Sequence, residues 1–206
     1  MAGQHCFFRK AILEKLGGWD AHNVTEDADL GVRLARRGYT TELLETVTEE
    51  EANCRAWPWV RQRSRWLKGF LVTYFVHMRN PRVLLRDVGL RGFIGIQVIF
   101  LATFSQFAAL PLLWTFWLPI FGLPHVMDDT LNGMAIKFVA MFFLFSELLN
   151  VLIGVSAVSS RTHRHLVPWV ITMPFYFTLG ALAAYKALFE LVLRPFYWDK
   201  TDHGIE

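Results

Sequence analysis

Long apolar stretches fill most of the second half of the chain. Residues 92–118 contain no charged side chain and are mainly apolar, and this length is enough to cross a bilayer as a helix. Residues 134–158 form a second apolar stretch, with Glu147 near its middle. The pattern predicts transmembrane helices over both ranges. For Glu147 two interpretations stay open: a polar pore or packing site, and a protonated or snorkelling carboxylate.

A third apolar stretch, residues 168–193, is harder to assign. It is apolar enough to span a membrane, but it contains Pro174, and Lys186 and Glu190 lie one helical turn apart within it. It is either an interfacial or re-entrant helix, which tolerates these residues, or a third transmembrane helix. The first arrangement is favoured and leaves residues 194–206 in the cytoplasm.

The loops between these stretches differ in charge. Residues 119–133 carry acidic side chains but no Lys or Arg, whereas residues 159–167 carry two arginines. By the positive-inside rule, the first loop lies outside and the second in the cytoplasm. The sequence therefore predicts an integral protein of the cytoplasmic (inner) membrane, with residues 1–91 in the cytoplasm.

The first part of the chain is polar and contains only short elements. The pattern predicts a helix over residues 9–16, stopped by a Gly-Gly pair, and a second helix that Thr25 caps. Weaker strand-like patterns occur around Cys6 and over residues 40–48. About 50 residues bury too little surface to fold alone. We therefore expect residues 1–56 to be the C-terminal part of a cytosolic domain, completed by an N-terminal half outside this chain or by a partner chain.

Charge changes sharply where the apolar stretches approach. Residues 1–52 hold ten acidic residues against six Lys or Arg, and residues 53–91 hold nine Lys or Arg against one acid. A basic region can indicate nucleic-acid binding. Here it adjoins uncharged stretches and its arginines lie among tryptophans, so we expect a membrane surface and no nucleic acid. Cys6 and Cys54 form no Cys-x-x-Cys motif or Cys/His cluster, which excludes a zinc or disulfide framework.

The basic region begins with an amphipathic pattern. Between Pro58 and Arg79, basic residues fill the first half and apolar residues recur at helical spacing. This predicts that residues 57–91 form an amphipathic helix at the membrane–water interface, followed by a linker. The helix either joins a cytosolic active site to the membrane or is a basic patch that grips anionic lipid.

Two motifs favour the active-site interpretation. The first is Thr25-Glu26-Asp27, and the second, 35 residues later, is Gln62-Arg63-Ser64-Arg65-Trp66. Followed by membrane spans, they resemble the acidic and Gln-x-x-Arg-Trp motifs of membrane-embedded family-2 glycosyltransferases, which include the synthases of cellulose, hyaluronan and poly-N-acetylglucosamine. The resemblance covers nearly the whole chain. It implies an α-helical membrane protein joined to the C-terminal remnant of an α/β, GT-A-like glycosyltransferase domain.

Sugar transfer explains why these residue types are needed. A base must take a proton from the acceptor hydroxyl, and Asp27 is the candidate, with Glu26 orienting or capping. Arg65 can bind the diphosphate of the leaving nucleotide through a bidentate fork. Trp66 offers a flat apolar face to an acceptor sugar, and Gln62 can hydrogen-bond to donor or acceptor. The expected reaction is an inverting transfer from a nucleotide-sugar donor to a glycan or lipid-linked acceptor.

The resemblance extends to both ends of the chain. Cys6 lies in a segment that, in this family, lies beside the acceptor. The tail, residues 196–201, resembles the gating loops that close over the nucleotide in some relatives, which makes Trp198, Lys200 and Thr201 candidate substrate contacts. The alternative for the tail is an interfacial Trp/Lys anchor.

No metal ligand is assigned in this chain. Asp27 and Asp29 spell Asp-x-Asp, but at this spacing on a helix the two carboxylates point to different faces. Mg²⁺ or Mn²⁺ is expected for the complete enzyme, bound by residues of the absent donor-binding half. The chain alone is therefore expected to be inactive. A second hypothesis is a non-catalytic membrane subunit for polysaccharide assembly or export that keeps a degenerate transferase remnant.

Overall fold

The computed structural model of the chain describes residues 7–20, 23, 25–42, 53–195 and 197. This part of the chain is mostly helical. Its α-helices, in chain order, are α1 (Lys10–Lys15), α2 (Glu26–Arg36), α3 (Ala56–His77), α4 (Pro81–Ile96), α5 (Thr103–Thr115), α6 (Gly133–Val158), α7 (Val167–Val170) and α8 (Met173–Leu193). A π-helical segment, Gln97–Ala102, joins α4 to α5, and short 3₁₀ turns cover Leu118–Phe121 and Arg164–Leu166.

No strand is found among these described residues. The strand expected around Cys6 is absent at Phe7 and Phe8, and most of the strand expected over residues 40–48 lies outside the described part. A strand needs a neighbour to pair its backbone N–H and C=O groups, and the described residues supply none. The α/β character expected of residues 1–56 is therefore not shown.

The chain divides into two compact units. The first contains residues 1–105 and 182–206, and the second contains residues 106–181. The first unit includes the helices that carry both sequence motifs, and the second includes the whole of the apolar helix α6.

The first unit is built on α1 and α2. Gly17 and Gly18 follow α1 with φ of 82° and 76°, and the N–H of Gly18 donates to the Leu13 carbonyl at 2.9 Å. This ends α1 at the predicted Gly-Gly pair, since glycine adopts left-handed conformations without a steric penalty. The buried core between α1 and α2 consists of Leu16, Leu30 and Leu34.

A second core joins α2 to α3, α4 and the π-helical segment. Its buried members are Val32, Leu84, Ile96 and Phe100, and Phe70 of α3 makes an edge-to-face contact with Phe100 at 5.2 Å. The helix α4 is interrupted at Gly89, whose φ of 69° and ψ of 175° are not helical. The residues expected as a linker are therefore helical with a break at a glycine.

In the part of the chain that the structure describes, three helical stretches are long and apolar enough to cross a membrane. They are Pro81–Phe121 (41 residues, mean hydropathy 1.8), Gly133–Val158 (26 residues, 2.2) and Met173–Leu193 (21 residues, 1.4). Only 6% of the most apolar window of Gly133–Val158 is buried inside the described protein. Such exposed apolar surface fits contact with lipid.

The third stretch begins later than the sequence suggests. A short helix, α7, comes first, and α8 then runs unbroken from Met173 to Leu193. Pro174 occupies the second position of α8, within the first turn, where its missing N–H removes no helical hydrogen bond. Lys186 and Glu190 are hydrogen-bonded to each other. Neither feature interrupts the helix, so both of the expected arrangements of α8, interfacial and transmembrane, stay open.

The second unit contains a cavity of about 600 Å³. Most of its lining is apolar or aromatic, but four polar side chains from α5 and α6 face it: Gln106, Ser146, Glu147 and Asn150. Glu147 is half-buried and lines this cavity. Both interpretations of it, a polar pore or packing site and a protonated or snorkelling carboxylate, stay open.

Candidate active site

The acidic motif lies at the N-terminal end of α2. Thr25 is the N-cap residue, and Glu26 and Asp27 occupy the first turn. Both carboxylate side chains are exposed, and Asp27 Oδ1 accepts a hydrogen bond from the N–H of Ala28 at 2.8 Å. The helix dipole favours negative charge at this end. Both side chains are therefore exposed at the end of α2 where the helix dipole favours negative charge.

Thr25 does not cap α2 with its side chain, contrary to the sequence-based expectation. Its hydroxyl and its N–H lie 3.3 and 3.0 Å from Oδ1 of Asn23. Asn23 Nδ2 in turn donates to Oγ1 of Thr73 on α3 at 2.8 Å. All three side chains are buried. The Thr25 hydroxyl thus joins α2 to α3 instead of satisfying the helix end.

Gly69 brings α3 into direct contact with the start of α2. A Cβ atom at this position would lie 2.6 Å from Cγ2 and 2.7 Å from Oγ1 of Thr25. The absence of a side chain is therefore required for this close approach. Gly69 lies on the same helix as the Gln-x-x-Arg-Trp motif, so the two motifs are carried by helices that touch.

Asp29 lies on α2 and connects this helix to α3 through a buried ion-pair network. It is 5% exposed, and its carboxylate oxygens lie 2.8 Å from His77 Nε2 and 2.8 Å from Arg33 Nε. Burial by itself would raise the pKa of Asp29, but the His77 hydrogen bond and the Arg33 charge outweigh it and hold the pKa below its usual value. Asp29 is thus a structural carboxylate, separate from the exposed Asp27.

The ion-pair network continues onto α4. Arg36 Nε and Nη2 donate to Asp87 Oδ2 at 3.1 and 3.0 Å, and Arg36 Nη1 lies 3.3 Å from His77 Nδ1. A guanidinium only donates, so Nδ1 accepts and Nε2 carries the proton that His77 donates to Asp29. These contacts tie α2, α3 and α4 together behind the acidic motif.

The Gln-x-x-Arg-Trp motif lies in the first half of α3, and its side chains are partly buried. Gln62 Oε1 accepts a hydrogen bond from Asn53 at 2.9 Å. The Arg63 guanidinium lies 4.6 Å from the centroid of the Trp66 ring, a cation–π contact that covers one face of the indole. Arg65 is half-buried on the same helix.

The remaining candidate substrate residues lie outside the described part of the chain. These are Cys6, Trp198, Lys200 and Thr201. Their roles stay predictions.

Among the described residues, no group of three His, Cys, Asp or Glu side chains could hold a metal ion. Asp29 is engaged by His77 and Arg33, so it does not fit a metal site shared with Asp27. The described part of the chain therefore does not fit the metal expected for the complete enzyme.

The family model described as "Glycosyl transferase family group 2" matches residues 1–185. The chain belongs to this family. The family inferred from the two motifs is thus confirmed, and the three long apolar helices fit a membrane-embedded member. In this family 2 glycosyltransferase chain, the matched region includes both motifs and all of α1 to α7.

Curated relatives give the same family. The "Probable glycosyltransferase YdaM" of Bacillus subtilis is 32% identical over 90 residues, which are 40% of this chain and 21% of that protein. The "Cellulose synthase catalytic subunit [UDP-forming]" of Komagataeibacter sucrofermentans is 34% identical over 80 residues, 38% of this chain and 10% of that protein. The "Cellulose synthase 1 catalytic subunit [UDP-forming]" of Komagataeibacter xylinus is 28% identical over 106 residues, 51% and 13% respectively.

The chain spans only a small part of these curated relatives: the matches cover between 10% and 21% of their own length. No solved structure matches the chain significantly.

Lys68 of this family 2 chain lies where the sequence does not predict it. Its charge places it among the basic residues near the membrane, yet it is 1% exposed. Its ammonium donates to the carbonyls of Arg194 at 2.8 Å and Tyr197 at 3.0 Å. The helical spacing contains an indication of this burial, because Lys68 lies four residues after Ser64 and three before Leu71, both of which are buried on α3.

Proposed function

We propose that the chain is the acceptor-side and membrane part of an inverting glycosyltransferase. It moves a sugar from a nucleotide-sugar donor to a growing glycan or lipid-linked acceptor at the cytoplasmic face of the inner membrane. One observation carries the proposal. The exposed carboxylates of Glu26 and Asp27 lie at the start of a helix that is pinned, through Thr25, against the helix that bears Gln62, Arg65 and Trp66.

The proposed chemistry uses each of these groups at a stated atom. The Asp27 carboxylate takes the proton of the acceptor hydroxyl, whose oxygen then attacks the anomeric carbon of the donor. The bond from that carbon to the diphosphate oxygen breaks, and the nucleoside diphosphate leaves with the bonding electrons. Arg65 binds the oxygens that gain charge. Trp66 presents its uncovered face to the acceptor ring, and Gln62 holds a sugar hydroxyl.

The donor side of the reaction is assigned outside this chain. The described residues offer no metal site, and the relatives extend well beyond the matched segments. We therefore infer that an α/β donor-binding half, with its Mg²⁺ or Mn²⁺, is supplied by other residues of the protein or by a partner chain. The 206-residue chain alone is accordingly expected to transfer no sugar from any nucleotide sugar in the presence of either metal.

The decisive experiment replaces the candidate base. Asp27→Asn, in membranes that contain the protein expressed from its complete gene, is expected to lower transfer from a labelled nucleotide sugar by about 10²- to 10⁴-fold, the usual contribution of a general base. Donor binding and the amount of folded protein should change little, because Asp27 is exposed.

Asp129→Asn is the matched control. It makes the same chemical change at an exposed aspartate in the loop before α6 and should leave transfer unchanged. Wild-type turnover by Asp27→Asn would contradict the assignment. A wild-type protein that transfers no sugar from any nucleotide donor would favour the second hypothesis, a non-catalytic membrane subunit.

A further inference from the structure

Lys68 is buried in a way that lysine rarely is. A lysine side chain is almost never fully buried unless it has partners, and this one is 1% exposed. Its partners are two backbone carbonyls, those of Arg194 and Tyr197, at 2.8 and 3.0 Å. Both carbonyls belong to the turn that directly follows α8.

The two carbonyls lie directly after the C-terminal end of α8, at Arg194 and Tyr197. The last carbonyls of an α-helix have no partner within the helix, and a cation is favoured there by the helix dipole. The turn is otherwise closed by two backbone bonds, from Arg194 N–H to the Glu190 carbonyl at 2.9 Å and from Tyr197 N–H to the Arg194 carbonyl at 3.1 Å. Lys68 thus binds the turn at the end of α8 from another helix, and its partner Arg194 lies 126 residues away in the sequence.

The surroundings are built for an ammonium group. Glu190 is 7% exposed and pairs with Lys186. Burial lowers the pKa of Lys68, the nearby Glu190 charge opposes that shift, and the Lys186 charge adds to it. A buried charge is tolerated when it is hydrogen-bonded, and here two carbonyls accept from the ammonium.

The position of Lys68 on α3 links this contact to the candidate site. Arg65 lies three residues earlier, about one helical turn, and Gly69, the next residue, is the position that contacts Thr25. One turn of α3 therefore touches the start of the acidic motif and the end of α8. A shift of this turn would move Arg65 as well.

We propose that Lys68 is a positioning residue. Its ammonium fixes the turn after α8 to α3 and thereby sets where Arg65 and Trp66 lie relative to the acidic motif. The first test uses the protein expressed from its complete gene, in lipid nanodiscs, and measures amide hydrogen exchange at Arg194 and Tyr197. Lys68→Met, which removes the donors at similar length, should speed this exchange at least tenfold.

Two further variants make this test specific. Lys68→Arg, which keeps a cation and its donors, should stay within about threefold of wild type. Lys137→Met, at an exposed lysine of α6, should change nothing, and the amides of α2 report whether each variant keeps its fold. Unchanged exchange in Lys68→Met, or equally fast exchange in Lys68→Arg, would overturn the proposal.

The second test rests on the proposed function and uses membranes with the protein expressed from its complete gene. Lys68→Met should raise KM for the nucleotide sugar at least fivefold, and Lys68→Arg should restore most of it. A loss of folded enzyme alone would leave KM unchanged. Faster exchange with an unaltered KM would show a purely structural contact and refute the positioning role. If the wild type transfers no sugar, the proposed function fails, whereas the exchange test still decides whether Lys68 holds the turn.

Discussion

Gly69→Ala offers the sharpest test of the contact between the two motif-bearing helices. The new methyl group would lie 2.6 Å from Thr25 Cγ2, whereas ordinary van der Waals contact begins at 3.4 Å, so the two helices must separate locally by about 0.8 Å. The atoms that meet the methyl group belong to a short, buried side chain. If the Thr25 side chain rotated away from the methyl group, its hydroxyl would lose its hydrogen bonds to Asn23 and Thr73.

The change in stability caused by Gly69→Ala is the difference between two opposed effects. Overpacking of a close contact usually costs about 1–3 kcal/mol. Replacing a mid-helix glycine by alanine returns about 0.5–1 kcal/mol through backbone entropy. We expect a net destabilisation of about 1–2 kcal/mol. Activity should fall further, because Thr25 directly precedes Glu26 and a displacement of about 1 Å near a catalytic group can cost about 10²-fold in rate.

Thermal unfolding in detergent and sugar transfer in membranes measure the two effects. Gly31→Ala is the matched control, since Gly31 is also helical and a Cβ there would meet nothing within 4 Å. It should stabilise the chain slightly. The double variant Gly69→Ala/Thr25→Ala removes the two atoms that clash most and should be less destabilised than the single changes predict together. If Gly69→Ala proves as stable and active as Gly31→Ala, the proposed contact between the helices is wrong.

Three further predictions address the motif, the buried carboxylate and the tail. Trp66→Ala should impair use of the acceptor most, whereas Arg65→Lys should impair use of the donor, because lysine keeps the charge but loses the planar fork; equal, small effects on both substrates would indicate a lipid-facing helix. Asp29→Asn should lower the stability of the protein at neutral pH, and the stability of this variant should fall less steeply in acid than that of the wild type. The folded-state pKa of Asp29 is depressed, so its contribution is present above about pH 3.9, the ordinary Asp value, and is lost as pH falls through the folded pKa; thermal unfolding against pH checks this, and an unchanged acid limb would contradict it. Thr201→Cys, in a chain whose natural cysteines are serines, should react with an impermeant thiol reagent in inverted vesicles but not in intact cells, and the reverse result would place the tail outside.

Local patterns predicted much of the helical structure. The Gly-Gly pair ended α1 as expected, the apolar periodicity after Thr25 gave α2, and the second apolar stretch coincides with α6. These features depend on neighbouring residues, so the sequence contains them. The sequence does not show that Pro174 lies in the first turn of α8, because an apolar stretch with a proline looks the same whether the proline begins the helix or interrupts it.

The contacts that hold the candidate site could not be predicted in the same way. The bond from Asn23 to Thr73 joins residues 50 apart, and the pair of Asp29 and His77 joins residues 48 apart. Hydrophobic periodicity carries no information on which distant polar groups meet. The buried Lys68 is the clearest case, because its charge suggested the membrane surface while its position on α3 pointed to the interior.

The long separation between Lys68 and its carbonyl partners affects how the protein is made. During synthesis the ammonium emerges 126 residues before the Arg194 carbonyl. At about 5–20 residues per second, this is an interval of roughly 6–25 s. Throughout that time the Lys68 ammonium lacks both of its carbonyl partners. The contact between α3 and the turn after α8 can therefore form only once nearly the whole chain has been made.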